Sequence, residues 1–463
     1  MDEAIAAGLE TTLPAALAEP VVPVRRGWIT LLFLANIGLW LGIYAPIQVL
    51  LPEQVQSLHD HLTKNNVVPS GTDAVLLSVV MGVGAIAGLI ANPVVGALSD
   101  RTTSSPSGGT GGRPPGRYRW VARAIRWRLL PSHGQLSGRR HPWTLGCAIV
   151  AAVGILVVAA APAIAVMAVG WFIAELGLGG MLATLTAALP DRVPVSQRGT
   201  LGALIGISQM LGTVLGALLV TVIITRMSAG YVACAVIVVG FAALFTLRTT
   251  DEPLPVQFKP DHAVSTALRR LWVSPRAYPD FAWGWITHFL VNLGNDLGTL
   301  YLLYFLSRGA HYHDPQTGLL ILMALYAVAL LAAGSVLGTL SDRTGRRKPF
   351  VIGAAAVMAL AAAILAASPT WSMALAAAPL LGAGFGTYWA AGPALLTQVL
   401  PAAIDRGKDV GLINIAYNLP LVVAPLTAGV LLGLMNSYPA LFALAGIVTI
   451  MAAWTVTRVR SVT

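Results

Sequence analysis

Long apolar runs alternate with short polar segments along the whole of this chain. A helix of about 20 apolar residues crosses the hydrocarbon core of a bilayer. Runs of this length lie near residues 28–50, 74–98, 143–161, 163–189, 199–224 and 229–247, and again near 281–306, 316–340, 349–367, 371–399, 409–434 and 438–457. The pattern predicts an all-helical membrane protein with twelve spans, six in each half of the chain.

The composition supports a bilayer as the solvent of this protein. Hydrophobic residues make up 56% of the 463 residues, charged residues only 10%, and the mean hydropathy is +0.75. These values exclude a soluble domain of this length. Gly and Pro are frequent inside the runs, which membrane helices tolerate because their neighbours satisfy the freed backbone groups.

Basic residues are placed asymmetrically between the predicted spans. If residue 1 is cytoplasmic, 26 of the 29 Lys and Arg residues lie on the inner side, and Lys64, Arg226 and Arg308 are the exceptions. Short cytoplasmic loops retain such an excess. We therefore predict a multi-pass protein of the cytoplasmic (inner) membrane with both termini in the cytoplasm. Topology accounts for the net charge of +10, so no nucleic-acid partner is expected.

One phrase occurs twice in the chain. It is complete at Gly338–Phe350, whereas the copy at Gly96–Thr102 is interrupted and resumes at Gly138–Trp143. This repeat indicates two related halves. The predicted organisation is a cytoplasmic tail (1–24), a first half (25–247) with a cytoplasmic insertion (103–137), a cytoplasmic linker (248–280), a second half (281–457) and a second tail (458–463).

The insertion contains one amphipathic stretch, residues 118–130. On a helix, Arg119, Arg123 and Arg126 share one face and Trp120, Ala124 and Trp127 share the next. This pattern is typical of a short helix on anionic lipid headgroups. Simple anchoring of a long loop and a regulatory role are both open.

The repeated phrase, Gly-x-x-x-Asp-Arg followed by Gly-Arg-Arg, resembles the signature of the major facilitator superfamily. The second copy, continuing as Arg346–Phe350, and the segment Arg406–Gly411 followed by Asn414 and Pro420 are similar to the sucrose/proton symporters and the glycoside-pentoside-hexuronide cation symporters. The resemblance implies a major facilitator fold of two pseudo-symmetric six-helix halves. It also implies that the signature forms cytoplasmic latches that stabilise an outward-open state. The gating residues it implies are Gly96, Asp100, Arg101, Arg139, Arg140, Gly338, Asp342, Arg343, Arg346 and Arg347.

Two acids, Glu175 and Asp296, lie within the predicted hydrocarbon region. A charge there costs about 2.5–3.5 kcal/mol on insertion scales, so each acid is a functional candidate. Aligning the halves on Leu189-Pro190 and Leu400-Pro401 sets Gly386 opposite Glu175, so this acid belongs to one half only. The resemblance implies a functional acid in this fourth helix. We predict Glu175 and Asp296 as proton-coupling residues, with a structural buried acid as the alternative.

Span seven carries His288, Asn292 and Asp296 at intervals of four residues, which places them on one side of a helix. Such a stripe must face protein or a water-filled cavity. The resemblance implies that helices one, four, seven and ten line the cavity. Predicted substrate-binding residues are therefore Asn36, His288, Asn292, Asp296, Tyr388 and Trp389, which suit a sugar as well as other amphipathic solutes. For the histidine and the two aromatic residues, ordinary packing is the alternative.

Other chemistry is not indicated. The chain has no Gly-x-x-x-x-Gly-Lys-Ser/Thr loop and no His/Cys cluster with metal-ligand spacing, so we expect no ATP-driven transport, no enzymatic activity, no cofactor and no metal. Proton coupling is favoured over sodium coupling because span two has no acid in its middle and Asp73 lies at its edge. The sequence predicts a monomeric, proton-coupled sugar symporter whose partners are a small solute and protons. Efflux of an amphipathic compound and a non-transporting receptor or scaffold are the alternatives.

Overall fold

The computed structural model describes residues 20–64, 72–103, 138–252, 254, 275–399, 406–435 and 437–461. The predicted lipid-binding stretch 118–130 and most of the predicted linker lie outside these ranges. The described part is helical, and its one β contact is an isolated parallel bridge between Thr103 and Leu254.

The first half is built from six long helices. They are α1 (Arg26–Ala45), α2 (Asp73–Asp100), α3 (His141–Ala159), α4 (Ile164–Arg192), α5 (Val195–Leu218) and α6 (Met227–Arg248). Helix α1 continues through a π-helical turn, Pro46–Leu50, into a further helix, Leu51–Lys64. Helix α5 ends in a similar π-helical turn, Leu219–Ile223.

The second half repeats this plan. Its helices are α7 (Pro279–Thr299), α8 (Pro315–Thr344), α9 (Lys348–Ala367), α10 (Trp371–Gln398), α11 (Arg406–Met435) and α12 (Tyr438–Thr457). Helix α7 is followed by Leu302–Tyr304 and a π-helical turn, Phe305–Gly309. The π-helical turns after α1, α5 and α7 were not predicted from the apolar pattern, which does not distinguish them from α-helix.

Among the described residues, eleven of these helices are long and apolar enough to cross a bilayer. The twelfth, α10, is 28 residues long and carries Gly, Thr, Tyr and Trp side by side through its middle, which lowers its hydropathy. The prediction of an all-helical membrane protein with two six-helix halves is confirmed. The first span was expected to end near residue 50, whereas helical structure continues to Lys64 through a further helix, in whose first turn Pro52 is tolerated.

Helix packing is the same in both halves. In the first half α2 packs on α4, α4 on α3, α3 on α6, α6 on α1 and α1 on α5; in the second half α8, α10, α9, α12, α7 and α11 make the same succession of contacts. Because the spans alternate in direction, both ends of the described chain lie at one end of the bundle, which we call the termini end. The opposite end is the far end.

The two halves meet unevenly. Helix α2 packs closely against α11. The side chain of Leu426 packs on Gly82, and that of Ser78 packs on Gly429. By contrast, α5 and α8 touch each other only sparsely. The space that this arrangement leaves between the halves holds the candidate site.

Candidate functional site

A cavity of about 1010 Å³ lies between the two halves. Helices α1 and α5 line it on one side, and α7, α8, α9, α10 and α12 line it on the other. Its polar lining consists of Tyr44, Gln48, Gln209, Thr213, Asn295, Asp296, Thr299, Tyr326, Ser335, Arg347, Trp389 and Thr449. This volume is at the upper end of the range for small-molecule sites.

The strongest polar feature of this cavity is a short polar chain of Tyr326, Asn295 and Asp296. The hydroxyl of Tyr326 donates to Oδ1 of Asn295 over 2.9 Å, and Asp296, the next residue along α7, lines the same cavity. Tyr44 and Gln209 line the same cavity from the first half. Phenol and amide groups thus share the cavity with a single carboxylate.

An aromatic wall adjoins this polar chain. The rings of Trp389 and Tyr417 meet edge to face, with centroids 5.6 Å apart, and Trp40 meets Tyr417 in the same way at 6.4 Å. The amide of Gln209 on α5 donates to the hydroxyl of Tyr417 on α11. Tyr417 therefore joins side chains of both halves beside the cavity.

The structure divides the predicted substrate-binding residues into two groups. Asp296 and Trp389 line the cavity. His288 and Tyr388 instead pair with each other between α7 and α10, through Nδ1 and the hydroxyl, and both are buried. The side-chain amide of Asn292 donates to the carbonyl of His288 over 2.7 Å, within one helix.

Asn36 is likewise occupied locally, because its amide donates to the carbonyl of Leu32 over 2.9 Å and its side chain is buried. None of Asn36, His288, Asn292 and Tyr388 is among the residues that line the cavity. The polar stripe of α7 thus faces the cavity only at Asp296 and its neighbour Asn295.

Glu175 occupies a separate cavity of about 30 Å³, enough for a water molecule. This space lies where α2 and α4 of the first half meet α11 and the end of α7 of the second. Asn92 and Asn418 line it with Glu175, and the remaining lining is largely apolar. Among the described residues, Glu175 has no ion pair with Lys, Arg or His.

Gly88 on α2 makes room for this acid. A Cβ on residue 88 would lie 3.0 Å from Oε2 of Glu175. Residues eight positions before Gly96 and Gly338 are Gly88 and Leu330, so Leu330 is the counterpart of Gly88. In the second half, Gly386 closely approaches the carbonyl of Leu330, as Gly179 approaches that of Gly88 in the first half. The position of Gly88 thus carries a leucine in the second half, and a glycine in the first half, where Glu175 contacts it.

A charged network occupies the termini end of the first half, and Arg140 is at its centre. The guanidinium of Arg140 binds Asp100 at the end of α2, and its Nε donates to Asp191 in the last turn of α4 over 2.8 Å. Ser99 accepts a further hydrogen bond from Arg140. Burial alone would lower the pKa of Arg140, but the carboxylates of Asp191 and Asp100 outweigh burial and raise the pKa above its usual value.

The network also reaches the segment after α6. The backbone N–H groups of Arg140 and His141 both donate to Oδ2 of Asp251, which is 2.8 Å from the latter. Arg139 pairs with Asp191 at 2.6 Å. The interrupted first copy of the repeated phrase thus comes together in space, and it ties the ends of α2, α3, α4 and α6 to one another.

The other predicted gating residues have different surroundings. Gly338 allows close packing, since a Cβ there would lie 2.7 Å from that of Ala390, whereas Gly96 has a neighbour only at 4.0 Å, Ala183. Arg343 in the last turn of α8 and Arg346 just after it are exposed, and Arg347 lines the central cavity. The side chain of Asp342 lies outside the described residues, and Arg101 is partly buried beyond α2.

Sequence reasoning missed several residues of the site. Tyr44, Gln209 and Tyr326 line the cavity with Asp296, and Tyr417 accepts a hydrogen bond from Gln209, but a tyrosine or glutamine in an apolar run does not reveal whether it faces a cavity. Asp251 was missed because its contact with Arg140 joins positions 111 residues apart. Among the described residues, no group of His, Cys, Asp and Glu has the geometry to hold a metal ion.

Comparison with known proteins is consistent with this architecture. The family model described as the Major Facilitator Superfamily matches residues 132–318 and 293–462. Among solved structures, the crystal structure of a mutant of the nucleoside transporter NupG is similar, with a TM-score of 0.64 and 13% sequence identity over 93% of this chain and 98% of that one. At this identity the likeness is one of fold. No curated protein sequence matches the chain significantly.

Proposed function

Because this chain belongs to the major facilitator superfamily and is a secondary transporter of a small solute by its fold, we propose that it couples uptake of a sugar or glycoside to protons. Transport proceeds by alternating access, with the solute in the central cavity between the halves. The observation that supports the substrate class is the polar chain on the cavity wall, in which the Tyr326–Asn295 hydrogen bond lies beside the Asp296 carboxylate.

A sugar needs many hydrogen-bond partners and one flat apolar surface. Phenol, amide and carboxylate groups around Asp296 supply the partners, and the indole of Trp389 supplies a surface on which a pyranose ring stacks. The polar groups around Asp296 can bind a solute only when the cavity is open to water. In alternating access the cavity opens to one side of the membrane and then to the other, so the same groups serve both sides.

Glu175 supports the proton part of the proposal. It is a buried carboxylate at the interface of the halves, without a basic partner among the described residues. An ionised carboxylate in such surroundings is costly, so a movement that changes its access to water also changes its protonation. Coupling follows when loss of the proton and release of the solute favour the same conformation.

Efflux of an amphipathic compound is the second candidate. It is favoured by the apolar part of the cavity lining, which is formed by Leu322, Met323, Met358, Leu365, Leu381, Phe385 and Phe442. An apolar wall beside one carboxylate suits a solute with a hydrophobic body and a polar end.

Purified protein in liposomes under an imposed pH gradient distinguishes these functions. We expect a labelled sugar from a panel of mono- and disaccharides to accumulate, together with substrate-dependent movement of protons reported by a pH-sensitive dye. Gradient-driven movement of amphipathic dyes without any sugar transport would indicate efflux. Silence with every solute would contradict both and indicate a receptor or scaffold. Liposomes that contain the Glu175→Gln variant are the matched control for proton coupling.

A further inference from the structure

Cross-half contacts concentrate at the far end of the bundle. There the hydroxyl of Tyr304, after α7, donates to the carbonyl of Pro52 over 3.0 Å. Gln316 at the start of α8 donates to Oε1 of Glu53 over 2.6 Å. In this conformation the halves are therefore joined at the far end.

An ion pair lies within this closed end. Asp73 begins α2 in the first half, Arg308 belongs to the π-helical turn after α7 in the second half, and Nη1 of Arg308 binds Oδ1 of Asp73. The two side chains differ in burial: that of Asp73 is fully buried, whereas that of Arg308 is 32% exposed. The guanidinium also lies over the ring of Tyr304, 5.5 Å from its centroid.

The partners of Asp73 are few. Its second oxygen, Oδ2, is buried and has no hydrogen-bond partner in the protein. Among the described residues, Arg308 is the cation that pairs with this carboxylate. A buried charge that loses its partner is strongly destabilising, whereas both charges regain hydration when the far end opens.

We propose that the Asp73–Arg308 ion pair is a conformational lock that holds the halves together at the far end and sets the population of the closed form. The lock joins halves, unlike the Arg140 network, whose ion pairs stay within the first half. Opening the far end requires Arg308 to leave Asp73, so the pair opposes every transition to the form that is open at this end. It acts independently of which solute the cavity binds.

Because Asp73 is more buried than Arg308, variants that replace either charged residue by an uncharged amide should favour opening of the far end to different extents. Arg308→Gln leaves a fully buried carboxylate without its cation in the closed form, so it should favour opening most. Asp73→Asn removes the buried charge and leaves Arg308, whose guanidinium reaches water, so its effect should be smaller. The double variant leaves no unpaired charge. Its far-end-open fraction should therefore lie closer to that of the wild-type protein than the fraction of Arg308→Gln does.

Pulsed electron paramagnetic resonance in lipid nanodiscs measures these populations without any substrate. Spin labels at the exposed positions Ser57 and Thr317 report the far end, and labels at Arg248 and Thr344 report the termini end, in a background with Cys147→Ala and Cys234→Ala. We expect Arg308→Gln to raise the far-end-open fraction by about tenfold or more, with longer far-end distances and shorter termini-end distances together.

Glu252→Gln is the matched control, because it breaks the Arg192–Glu252 ion pair of 2.8 Å, which joins the first half to the segment after α6 and does not reach the second half. It should leave both distance distributions unchanged. The proposal is overturned if Arg308→Gln has the wild-type distributions, or if the two single variants and the double variant shift them equally. Because the experiment contains no solute, its outcome is independent of whether the protein transports sugars.

Discussion

Oε2 of Glu175 lies 3.0 Å from the position that a Cβ would take on residue 88, and residue 88 is a glycine. The acid and the glycine that accommodates it lie on neighbouring helices, α4 and α2, which pack closely throughout this region. In the second half the counterpart of Gly88 is Leu330, so the glycine that accommodates the acid belongs to the first half. The difference between the halves at this position therefore accompanies the titratable group.

Replacing Glu175 by Gln should abolish accumulation against a gradient while sparing exchange of solute across the membrane. The amide keeps the size of the side chain but cannot bind and release a proton. The check is a comparison of pH-driven accumulation and of counterflow in the same proteoliposomes. Undiminished accumulation by this variant would refute a coupling role for Glu175.

Gly88→Ala should impair the same step without removing the carboxyl group. The added methyl group forces Oε2 of Glu175 to move by a few tenths of an ångström, or α2 and α4 to separate. We expect coupled accumulation to fall several-fold with little loss of expression. Gly146→Ala on α3 is the control, because its Cβ would meet nothing within 4 Å. Equal coupled accumulation by the two variants would show that the contact between Gly88 and Glu175 does not affect coupling.

Asp296→Asn and Tyr326→Phe should weaken solute binding. The first changes the carboxylate on the cavity wall, and the second removes the hydroxyl that donates to Asn295 over 2.9 Å. Loss of such a hydrogen bond typically costs about 1–3 kcal/mol, which corresponds to roughly 5- to 150-fold in affinity. Equilibrium binding of the transported solute to each purified variant measures the change.

Tyr278→Phe, which alters an exposed tyrosine before α7, should retain wild-type affinity. If Tyr326→Phe and Tyr278→Phe bind the solute equally well, the hydroxyl of Tyr326 does not contribute to its binding. Asp296→Asn distinguishes binding from coupling further, because a pure coupling role would leave affinity at equilibrium intact.

Hydropathy was sufficient to predict the helical architecture, because each span needs about 20 apolar residues to cross the lipid whatever its neighbours are. The same reasoning found Glu175 and Asp296, since a charge in hydrocarbon is conspicuous in any sequence. It could not separate Asp296, which faces the cavity, from His288, which pairs with Tyr388, although both lie on one side of α7. One side of a helix can contact a cavity along part of its length and a neighbouring helix along the rest. On α7, the packing of α10 determines which residues face the cavity and which are covered.

The charged network at the termini end was predicted in part. Asp100, Arg139 and Arg140 were identified through the repeated phrase, whereas Asp251 was not, because it lies outside that phrase. No local pattern links Asp251 to Arg140, since the two meet only after α3 and α6 have packed together.

Deleting residues 103–137 tests the insertion that divides the first copy of the phrase. If the stretch 118–130 only anchors a long loop on anionic lipid, the shortened protein should transport with unchanged kinetics and lose affinity for anionic vesicles. A change in transport rate that depends on the fraction of anionic lipid would instead assign it a regulatory role. Removing only residues 104–117, before the amphipathic stretch, is the control for loop length.

Arg140→Gln should destabilise the first half of the protein. The side chain of Arg140 is 7% exposed and pairs with Asp100 and Asp191, which are 52% and 24% exposed. Breaking a buried pair costs about 3–5 kcal/mol, and the partial exposure of both acids reduces the expected loss to about 2–3 kcal/mol of unfolding free energy.

Arg192→Gln breaks a more exposed pair, Arg192–Glu252, and should cost under about 1 kcal/mol. Unfolding in mixed micelles, followed by intrinsic tryptophan fluorescence, measures both. Equal losses in the two variants would mean that Arg140 acts as an ordinary surface charge, and the network would then be a consequence of helix packing and not a cause of it.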